Sequence, residues 1–195
     1  MRQRSIIPLG DRALTADLSD VGGAPTRDVI RALVARAQTD APPGVTGVVP
    51  AIRTLTLHYD PARTSFDALA EYIDACIATL VISDEIARDP VVIPVCYGGR
   101  FGPDLDDVAA AHDSTADAIV AAHVAGTYTV AMIGFLPGFP YLDGLAESLH
   151  TPRRSTPRTH VPAGSIGIGG SSTGVYPFTS PGGWHLVGRT PRLMF

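Results

Sequence analysis

The sequence contains no lysine, since all 15 of its basic residues are arginines. A chain without lysine cannot form a Schiff base or supply the lysine of a Walker-type phosphate loop. It cannot carry a biotinyl-lysine either. Any such chemistry in a complex must therefore come from another chain, whatever codon bias underlies the composition.

Cysteine, positive charge and long apolar runs are also scarce. The two cysteines, Cys76 and Cys96, build no disulfide framework, and both are expected to be buried, inert thiols. A formal net charge of −4 disfavours a nucleic-acid binder. No run approaches the roughly 20 apolar residues of a membrane helix, and the start lacks the apolar segment of a signal peptide, so a cytoplasmic protein without a membrane partner is expected.

Metal-ligand spacing is absent as well. Four of the six histidines form no HExxH motif and no cluster with cysteine; they are His58, His112, His123 and His150. We therefore predict no metal site.

Residues 1–89 alternate between strand and helix patterns. The predicted elements are a strand at Ala13–Leu18, a helix at Thr26–Gln38 capped by Thr26, strands at Val45–Pro50 and Arg53–Tyr59, and a helix to Leu80 capped by Ser65. This order predicts most of a ferredoxin-like α/β sandwich. A turn is expected at Asp20–Pro25 and a domain boundary at residues 88–90.

Residues 90–195 are expected to form a second domain. A strand at Val91–Tyr97 precedes two helices, Asp104–Ala111 and Thr115–Val124, the second capped by Ser114, and a strand at Thr127–Ile133. Many short strands with glycine turns follow, which indicates a closed or partly closed β-barrel. The fold class predicted for the whole chain is α+β.

The stretch Gly134–Arg189 holds 11 of the 20 glycines and many of the 17 prolines. Such composition without a period is typical of a disordered linker. The same stretch also carries large apolar residues, including Phe139, Tyr176 and Trp184, which can form a core. We therefore favour an ordered framework of short strands and turns around a pocket.

Four basic residues within this stretch are candidates for binding an anion. Arg153, Arg154, Arg158 and His160 lie within eight positions, and the prolines of PRRSTPR favour an extended backbone. Guanidinium forks on such a loop suit a carboxylate or a phosphate. On composition alone, a solvated basic loop without a ligand is the commoner outcome.

The segment AGSIGIGGSSTG follows, and it offers backbone N–H groups for an anion-binding nest. Gly169, Gly170 and Thr173 are its candidate binding residues. The segment matches neither a P-loop nor a nucleophile elbow. The alternative is a tight β-turn that packs against the rest of the domain.

His185 is the candidate general base, with Asp143 as the nearest guess for an orienting carboxylate. A strand histidine with no catalytic role is the alternative. Tyr176 could donate a hydrogen bond to a ligand or simply pack in the core. Phe135 and Pro137 are expected to form an apolar wall.

Three motifs carry a family resemblance: GFLPGFPYLDGL, PRRSTPRTHVPAGSIGIGG and TGVYPFTSPGGWHLVGRTP. Together with IPVCYGGRFGPDL upstream, and more weakly residues 10–14 and 59–61, they resemble the family of the B subunit of prokaryotic 5-oxoprolinase. Allophanate hydrolase subunit 1 and the histidine-kinase inhibitor KipI belong to the same family. The resemblance covers nearly the whole chain.

The resemblance implies a cyclophilin-like barrel for residues 90–195 and a role in ATP-dependent hydrolysis of 5-oxo-L-proline to L-glutamate. ATP with magnesium would be the cofactor, and the A and C subunits of the same enzyme would be the partners. It favours the ligand-binding interpretation of the PRRSTPR segment, residues 152–158, which we call the arginine loop. The candidate catalytic residues are His185 and Arg154. Because family members usually continue beyond the GRTP segment, it also implies that the sequence stops before a final strand.

Two other functions are compatible with the same family. One is an allophanate hydrolase or urea carboxylase subunit of the carboxyltransferase type, in which biotin would arrive on another chain. The other is a KipI-like inhibitor of a histidine kinase without catalysis. The chain shows no obvious nucleophile, so we expect it to be inactive alone and to share a site with the C subunit.

Overall fold

The computed structural model describes residues 5–21, 25–82 and 89–194. The chain divides into two compact units, residues 1–87 and 88–195. Parts of the predicted turn at 20–25 and of the predicted boundary at 88–90 lie outside the described residues, as does Phe195, where a truncation was expected.

The N-terminal unit is a sheet covered by two helices. Its elements are β1 (Ile6–Pro8), β2 (Ala13–Asp17), α1 (Thr26–Asp40), β3 (Val45–Pro50), β4 (Thr54–Tyr59) and α2 (Phe66–Ala78). The strand order is β1-β2-β4-β3, and neighbouring strands are antiparallel. Strands β2 and β3 therefore run parallel with β4 between them, which is a split β-α-β unit.

The core of this unit follows the predicted periodicities. Alternate residues of β4, among them Leu55 and Leu57, pack against one face of α1 and of α2, which contribute Leu33 and Ile73. Burial of this apolar surface is the main term that holds the helices on the sheet. The strands predicted at Val45–Pro50 and Arg53–Tyr59 and both helices are confirmed.

One of the two predicted helix caps in this unit is wrong. Ser65 accepts a hydrogen bond from the backbone N–H of Ala68, as a cap should. Thr26 instead lies inside α1, and Pro25 occupies the cap position without a side-chain bond. Proline fits there because the first N–H groups of a helix need no partner within the helix.

The C-terminal unit contains eight strands and two α-helices among the described residues. They are β5 (Cys96–Tyr97), α3 (Leu105–Ala111), α4 (Ala116–Ala125), β6 (Thr129–Ile133), β7 (Pro140–Asp143), β8 (Arg158–Val161), β9 (Ser165–Gly169), β10 (Ser172–Val175), β11 (Ser180–Gly182) and β12 (His185–Arg189). Six of the strands form one antiparallel sheet of order β5-β12-β9-β10-β7-β6, and β8 pairs with β11. The α+β class is confirmed, as is the ordered interpretation of the glycine-rich stretch.

The six-stranded sheet packs on both faces. One face packs against α3 and α4, where Val108 and Ile119 contact Ile166 and Ile168 of β9. The other face carries aromatic side chains centred on Phe139. Successive residues of β9 and β10 point to opposite faces, so the short strands serve both cores.

Three local predictions in this unit are wrong. Residues 91–95 form no strand before β5, because Val91 and Val92 are exposed and Pro94 has no N–H to donate. Thr115, not Ser114, caps α4 by accepting a bond from the N–H of Ala118. Cys96 is exposed, whereas Cys76 is buried as expected.

None of the helices in the described part of the chain combines the length and the apolar composition of a membrane-spanning segment.

Candidate functional site

Five rings form an aromatic cluster on the face of the sheet away from α3 and α4: Phe135, Phe139, Tyr141, Tyr176 and Trp184. Phe139 lies at the centre, with ring centroids 5.0 Å from Tyr176 and 5.4 Å from Trp184 in edge-to-face contacts. Gly169 makes room for the indole, since a Cβ there would lie 2.6 Å from Trp184 Nε1. Gly169, which was predicted to bind an anion, therefore has a packing role, because it makes room for the Trp184 ring.

The predicted apolar wall lies at the edge of this cluster. Phe135 is 59% exposed and has a φ of 66°, a left-handed conformation that is unfavourable for a bulky residue. Its ring contacts both Phe139 and Tyr176. Pro137 is exposed in the same loop. The structure thus brings the predicted wall beside Tyr176.

Tyr176, which is 1% exposed, and the exposed Arg153 bring polar groups to the aromatic cluster. Burial raises the pKa of the Tyr176 phenol, although a backbone hydrogen bond at Trp184 and the charges of Arg153 and Arg158 act in the opposite direction. Tyr176 therefore stays protonated as a donor at neutral pH. The Arg153 guanidinium lies 6.0 Å from the Trp184 ring centroid, within range of a cation–π contact.

Arg154 and Arg158 converge on the buried carboxylate of Asp104, which is 1% exposed. Arg158 donates to both carboxylate oxygens at 2.8 and 2.6 Å, and Arg154 donates at 2.9 Å. The backbone N–H of Leu186 donates at 2.7 Å. Burial alone would raise the pKa of Asp104, but these bonds and charges together hold the pKa below its usual range.

Asp104 is the residue of the candidate site that the sequence did not reveal. It occupies the cap position directly before α3, and an acidic residue after Gly-Pro is an ordinary helix start. Its two partners lie 50 and 54 residues further along the chain. No local pattern reports a contact at that separation, so only the fold identifies Asp104 as the anchor of the arginine loop.

The arginine loop is fixed at both ends rather than free in solvent. Thr151 and Gly170 exchange backbone hydrogen bonds of 3.2 and 2.7 Å at its start. The N–H of Arg154 donates to Gly183 O at 2.8 Å, and β8 pairs with β11 at its end. Gly170 was predicted to bind a ligand, but its backbone N–H and carbonyl are both used in these two hydrogen bonds to Thr151. His160 is exposed on β8, the strand that Arg158 begins.

Thr173 lies on the opposite face of the sheet from Tyr176. Its hydroxyl donates to Gly167 O at 2.9 Å and lies 3.0 Å from His123 Nε2. The other ring nitrogen, Nδ1 of His123, is 2.7 Å from the Tyr97 hydroxyl. The structure therefore does not bring Thr173 together with the arginines, and it places Thr173 in a buried hydrogen-bonded chain with His123 and Tyr97.

This chain of bonds fixes the protonation of His123. The Thr173 hydroxyl donates to Gly167, so its oxygen accepts from Nε2–H, and Nδ1 accepts from Tyr97. A second ring proton would displace the Tyr97 donor from a buried site. Burial accordingly lowers the pKa of His123 to about 4 and raises the pKa of Tyr97 to about 12.

We expect this histidine to make stability depend on pH. In the unfolded state the pKa of His123 is near 6.5, so the unfolded state binds a proton at a higher pH than the folded state does. The stabilisation of the fold by the neutral ring is therefore complete above pH 6.5 and is lost as the pH falls towards 4. The loss over this window is about 3 kcal/mol. Urea unfolding between pH 7 and pH 4 measures it.

A His123→Asn variant should be less stable than the native chain at pH 7 and should show a flatter profile across this window. His58→Asn, at an exposed histidine, is the matched control and should keep the native profile. Equal pH profiles for the native chain and His123→Asn would contradict the role of His123.

His185 lies on β12 and is half-buried, and its Nδ1 atom is buried without a hydrogen-bond partner among the described residues. Strands β9 and β10 separate it from β7, which carries Asp143. The sheet therefore does not bring the predicted orienting carboxylate to His185. Arg154 Nε is likewise buried and has no described partner.

Within the part of the chain that the structure describes, no group of three or more His, Cys, Asp or Glu residues could hold a metal ion.

Fold and site together define an α+β protein whose C-terminal sheet carries aromatic rings and arginines on one face. The chain belongs to the family described as carboxyltransferase domain, subdomain C and D, whose sequence profile matches residues 4–195. The resemblance inferred from the motifs is thereby confirmed.

Two relatives extend over nearly the whole chain. The B subunit of 5-oxoprolinase from Haemophilus influenzae is 43% identical over 191 residues, which are 98% of this chain and 88% of the relative. The protein of the same name from Bacillus subtilis is 38% identical over 197 residues, with 96% of this chain and 82% of the relative covered. The fold also resembles part of Kluyveromyces lactis urea amidolyase, with a TM-score of 0.80 and 17% identity over 96% of this chain and 13% of that one.

Proposed function

We propose that this chain is the B subunit of a 5-oxoprolinase. The observation that carries the proposal is the 43% identity to a protein of that name over nearly the full length of both chains. The reaction would open the lactam of 5-oxo-L-proline to give L-glutamate, with ATP as the energy source. The A and C subunits would complete the enzyme, which would act in the cytoplasm.

The chemistry of this reaction explains why an arginine-rich site is suitable. A lactam is stabilised by resonance, and phosphorylation of its oxygen would give a better electrophile for water. Such a route places negative charge on a carboxylate and on a phosphoryl group at the same time. Fixed guanidinium groups and N–H donors stabilise developing charge without reorganisation.

For substrate binding, we propose the residues at the aromatic cluster and on the arginine loop. Phe135 and Pro137 would contact the ring of the substrate, and Tyr176 and Arg153 would contact its polar groups. The loop is rigid, because Asp104 holds its other two arginines. The remaining binding candidates are Arg158, His160, Gly169, Gly170 and Thr173; the first two lie on β8, and the packing of the last three favours a supporting role.

The catalytic roles proposed for His185 and Arg154 are supported by their unpartnered nitrogens. His185 Nδ1 and Arg154 Nε are both buried without described partners, so each retains one hydrogen-bonding position. His185 would act as general base, and Arg154 would donate to the developing oxyanion. Since neither group is a nucleophile for the lactam, we propose that the C subunit completes the site and that ATP with magnesium binds to the assembled complex.

The finer fold classes also remain proposals. The order β1-β2-β4-β3 with its split β-α-β unit supports a ferredoxin-like N-terminal domain. The antiparallel sheet of short strands in the C-terminal unit supports a cyclophilin-like barrel.

Hydrolysis of ATP by the reconstituted A, B and C subunits tests the function. We expect turnover that depends on 5-oxo-L-proline, none with urea or allophanate, and none from this chain alone. Absence of stimulation by 5-oxo-L-proline, or stimulation by urea or allophanate instead, would remove the proposal. Recovery of a histidine kinase without the C subunit in a pull-down would favour the inhibitor function.

The Arg153→Gln variant tests the site within the same assay. Because Arg153 does not bond to Asp104, the fold should be unaffected, and we expect turnover to fall by about tenfold or more as one charged contact is lost. Arg12→Gln makes the same change in net charge at an exposed residue of the N-terminal unit and should leave turnover unchanged. Equal turnover for the two variants would contradict a role for Arg153.

A further inference from the structure

A second basic site lies beside the arginine loop, in a cavity of about 210 Å³. Four basic side chains line it, and no acidic side chain does; they are Arg100, Arg158, His160 and Arg189. The turn before α3, strand β8 and the end of β12 contribute these residues. Arg100 and Arg189 appear in none of the binding or catalytic roles proposed above.

The positive charge in this cavity is only partly compensated. Asp104 supplies one carboxylate for two guanidinium groups, those of Arg154 and Arg158. In the described part of the chain, neither Arg100 nor Arg189 forms an ion pair with a carboxylate. Arg100 lies over the Phe101 ring at 4.7 Å, and Arg189 uses its Nε to donate to Ala163 O at 2.8 Å.

The contacts of Arg189 fix its guanidinium group and leave its terminal nitrogens able to donate hydrogen bonds to an anion. Its Nε bond to a backbone carbonyl anchors the stem, and no bond to its terminal nitrogens occurs among the described residues. Arg158 is fixed in a similar way by its two bonds to Asp104. Guanidinium groups that are already positioned lose less entropy when an anion binds.

We propose that this cavity binds a phosphate group, either as inorganic phosphate or as the phosphate end of a nucleotide. Several guanidinium groups converge without a matching number of acids, which suits an anion with more than one negative charge better than a single carboxylate. The cavity is smaller than the roughly 300–1,000 Å³ of drug-sized ligand pockets, so it suits a group rather than a whole nucleotide. Arg100, Arg158, His160 and Arg189 are the phosphate contacts.

Phosphate binding at this cavity does not require the lactam reaction to be correct. If the lactam reaction is correct, the cavity would hold a phosphoryl group of ATP or of the phosphorylated intermediate in the C-terminal unit of this chain. The binding experiment uses the isolated full-length chain and inorganic phosphate, whereas the activity assay uses the assembled complex. Failure of one is therefore distinguishable from failure of the other.

Titration calorimetry and thermal unfolding at constant ionic strength test the proposal, with phosphate, ATP and 5-oxo-L-proline as separate ligands and sodium chloride as the salt control. The native chain should bind phosphate, and Arg100→Gln should weaken binding by about tenfold. His160→Gln should weaken binding as well. Both residues are exposed, so neither variant should disturb the fold.

Arg12→Gln is the matched control, since it removes the same charge in the N-terminal unit and should bind phosphate as the native chain does. If ATP binds more tightly than phosphate and Arg100→Gln weakens the binding of both, the result supports a nucleotide as the source of the phosphate group. If ATP and phosphate bind equally tightly, the result supports free phosphate. Three outcomes would overturn the proposal: no effect of phosphate beyond that of chloride, equal weakening by Arg100→Gln and Arg12→Gln, or sensitivity to Arg100→Gln for 5-oxo-L-proline alone.

Discussion

Replacement of Asp104 by asparagine is expected to lower the free energy of unfolding by about 3 kcal/mol, because it removes the negative partner of a buried ion cluster. The asparagine side chain can still accept a bond, but its amide nitrogen would face the donors of Arg158 or of Leu186. Asp104 accepts from two arginines and from the backbone of β12. One change therefore disturbs the arginine loop and the start of α3 together.

Urea unfolding at pH 7 measures this loss, and Asp107→Asn is the matched control. Asp107 is exposed in the first turn of the same helix, so its neutralisation should cost about 1 kcal/mol or less through the helix dipole. The folded state depresses the pKa of Asp104, so its stabilising effect is present above the unfolded pKa and is lost as the pH falls through the folded pKa. Equal stability of the two variants would show that the cluster does not stabilise the fold.

Replacement of Gly102 by alanine is expected to destabilise the C-terminal unit by about 4 kcal/mol or more, which is at the upper end for a single substitution. An added Cβ would clash with the carbonyl oxygen and carbon of Val187 and would lie 2.7 Å from the Gly98 nitrogen. All three atoms belong to the backbone, so no side chain can move away to relieve the clash. The turn would have to leave β12, and the hydrogen bond from Asp104 N to Leu186 O would break with it.

Gly183→Ala is the matched control within the same unit. A Cβ at Gly183 would lie 3.6 Å from Pro157 Cγ, an ordinary van der Waals distance. We expect the free energy of unfolding of this variant to lie within about 1 kcal/mol of that of the native chain. Thermal unfolding and the yield of soluble protein compare the two, and a Gly102→Ala chain as stable as Gly183→Ala would contradict the close approach of the turn to β12.

The helices and strands of the N-terminal unit were predictable, because their signals are local. Leu55 and Leu57 alternate with polar residues along β4, and one residue before α2, Ser65, supplies the cap of that helix. The errors at Thr26 and Ser114 are shifts of one residue at helix ends, where several side chains can serve as caps. The failed strand at 91–95 has apolar residues of the right type, but β12 offers them no partner.

The candidate site was predictable only in part. The arginine loop, Tyr176 and the aromatic wall were identified from their residue types, and the structure brings Arg153, Phe135 and Tyr176 together at one face. Thr173 belongs to the same sequence motif as Tyr176 but lies on the other face of the sheet, because successive residues of a strand point to alternate faces. Its hydrogen bond to His123 joins elements 50 residues apart, which no spacing rule reports.

The sequence alone determined the chemical inventory of this protein: no lysine, arginine as the only fixed cation, a glycine-rich second half, and motifs that assign the family. Only the tertiary structure decided which arginines are paired with Asp104 and which lie in the basic cavity. The physical reason is that composition and periodicity report only on residues that lie close together in the sequence. A buried carboxylate instead selects its partners from whatever strands the fold places within hydrogen-bonding distance.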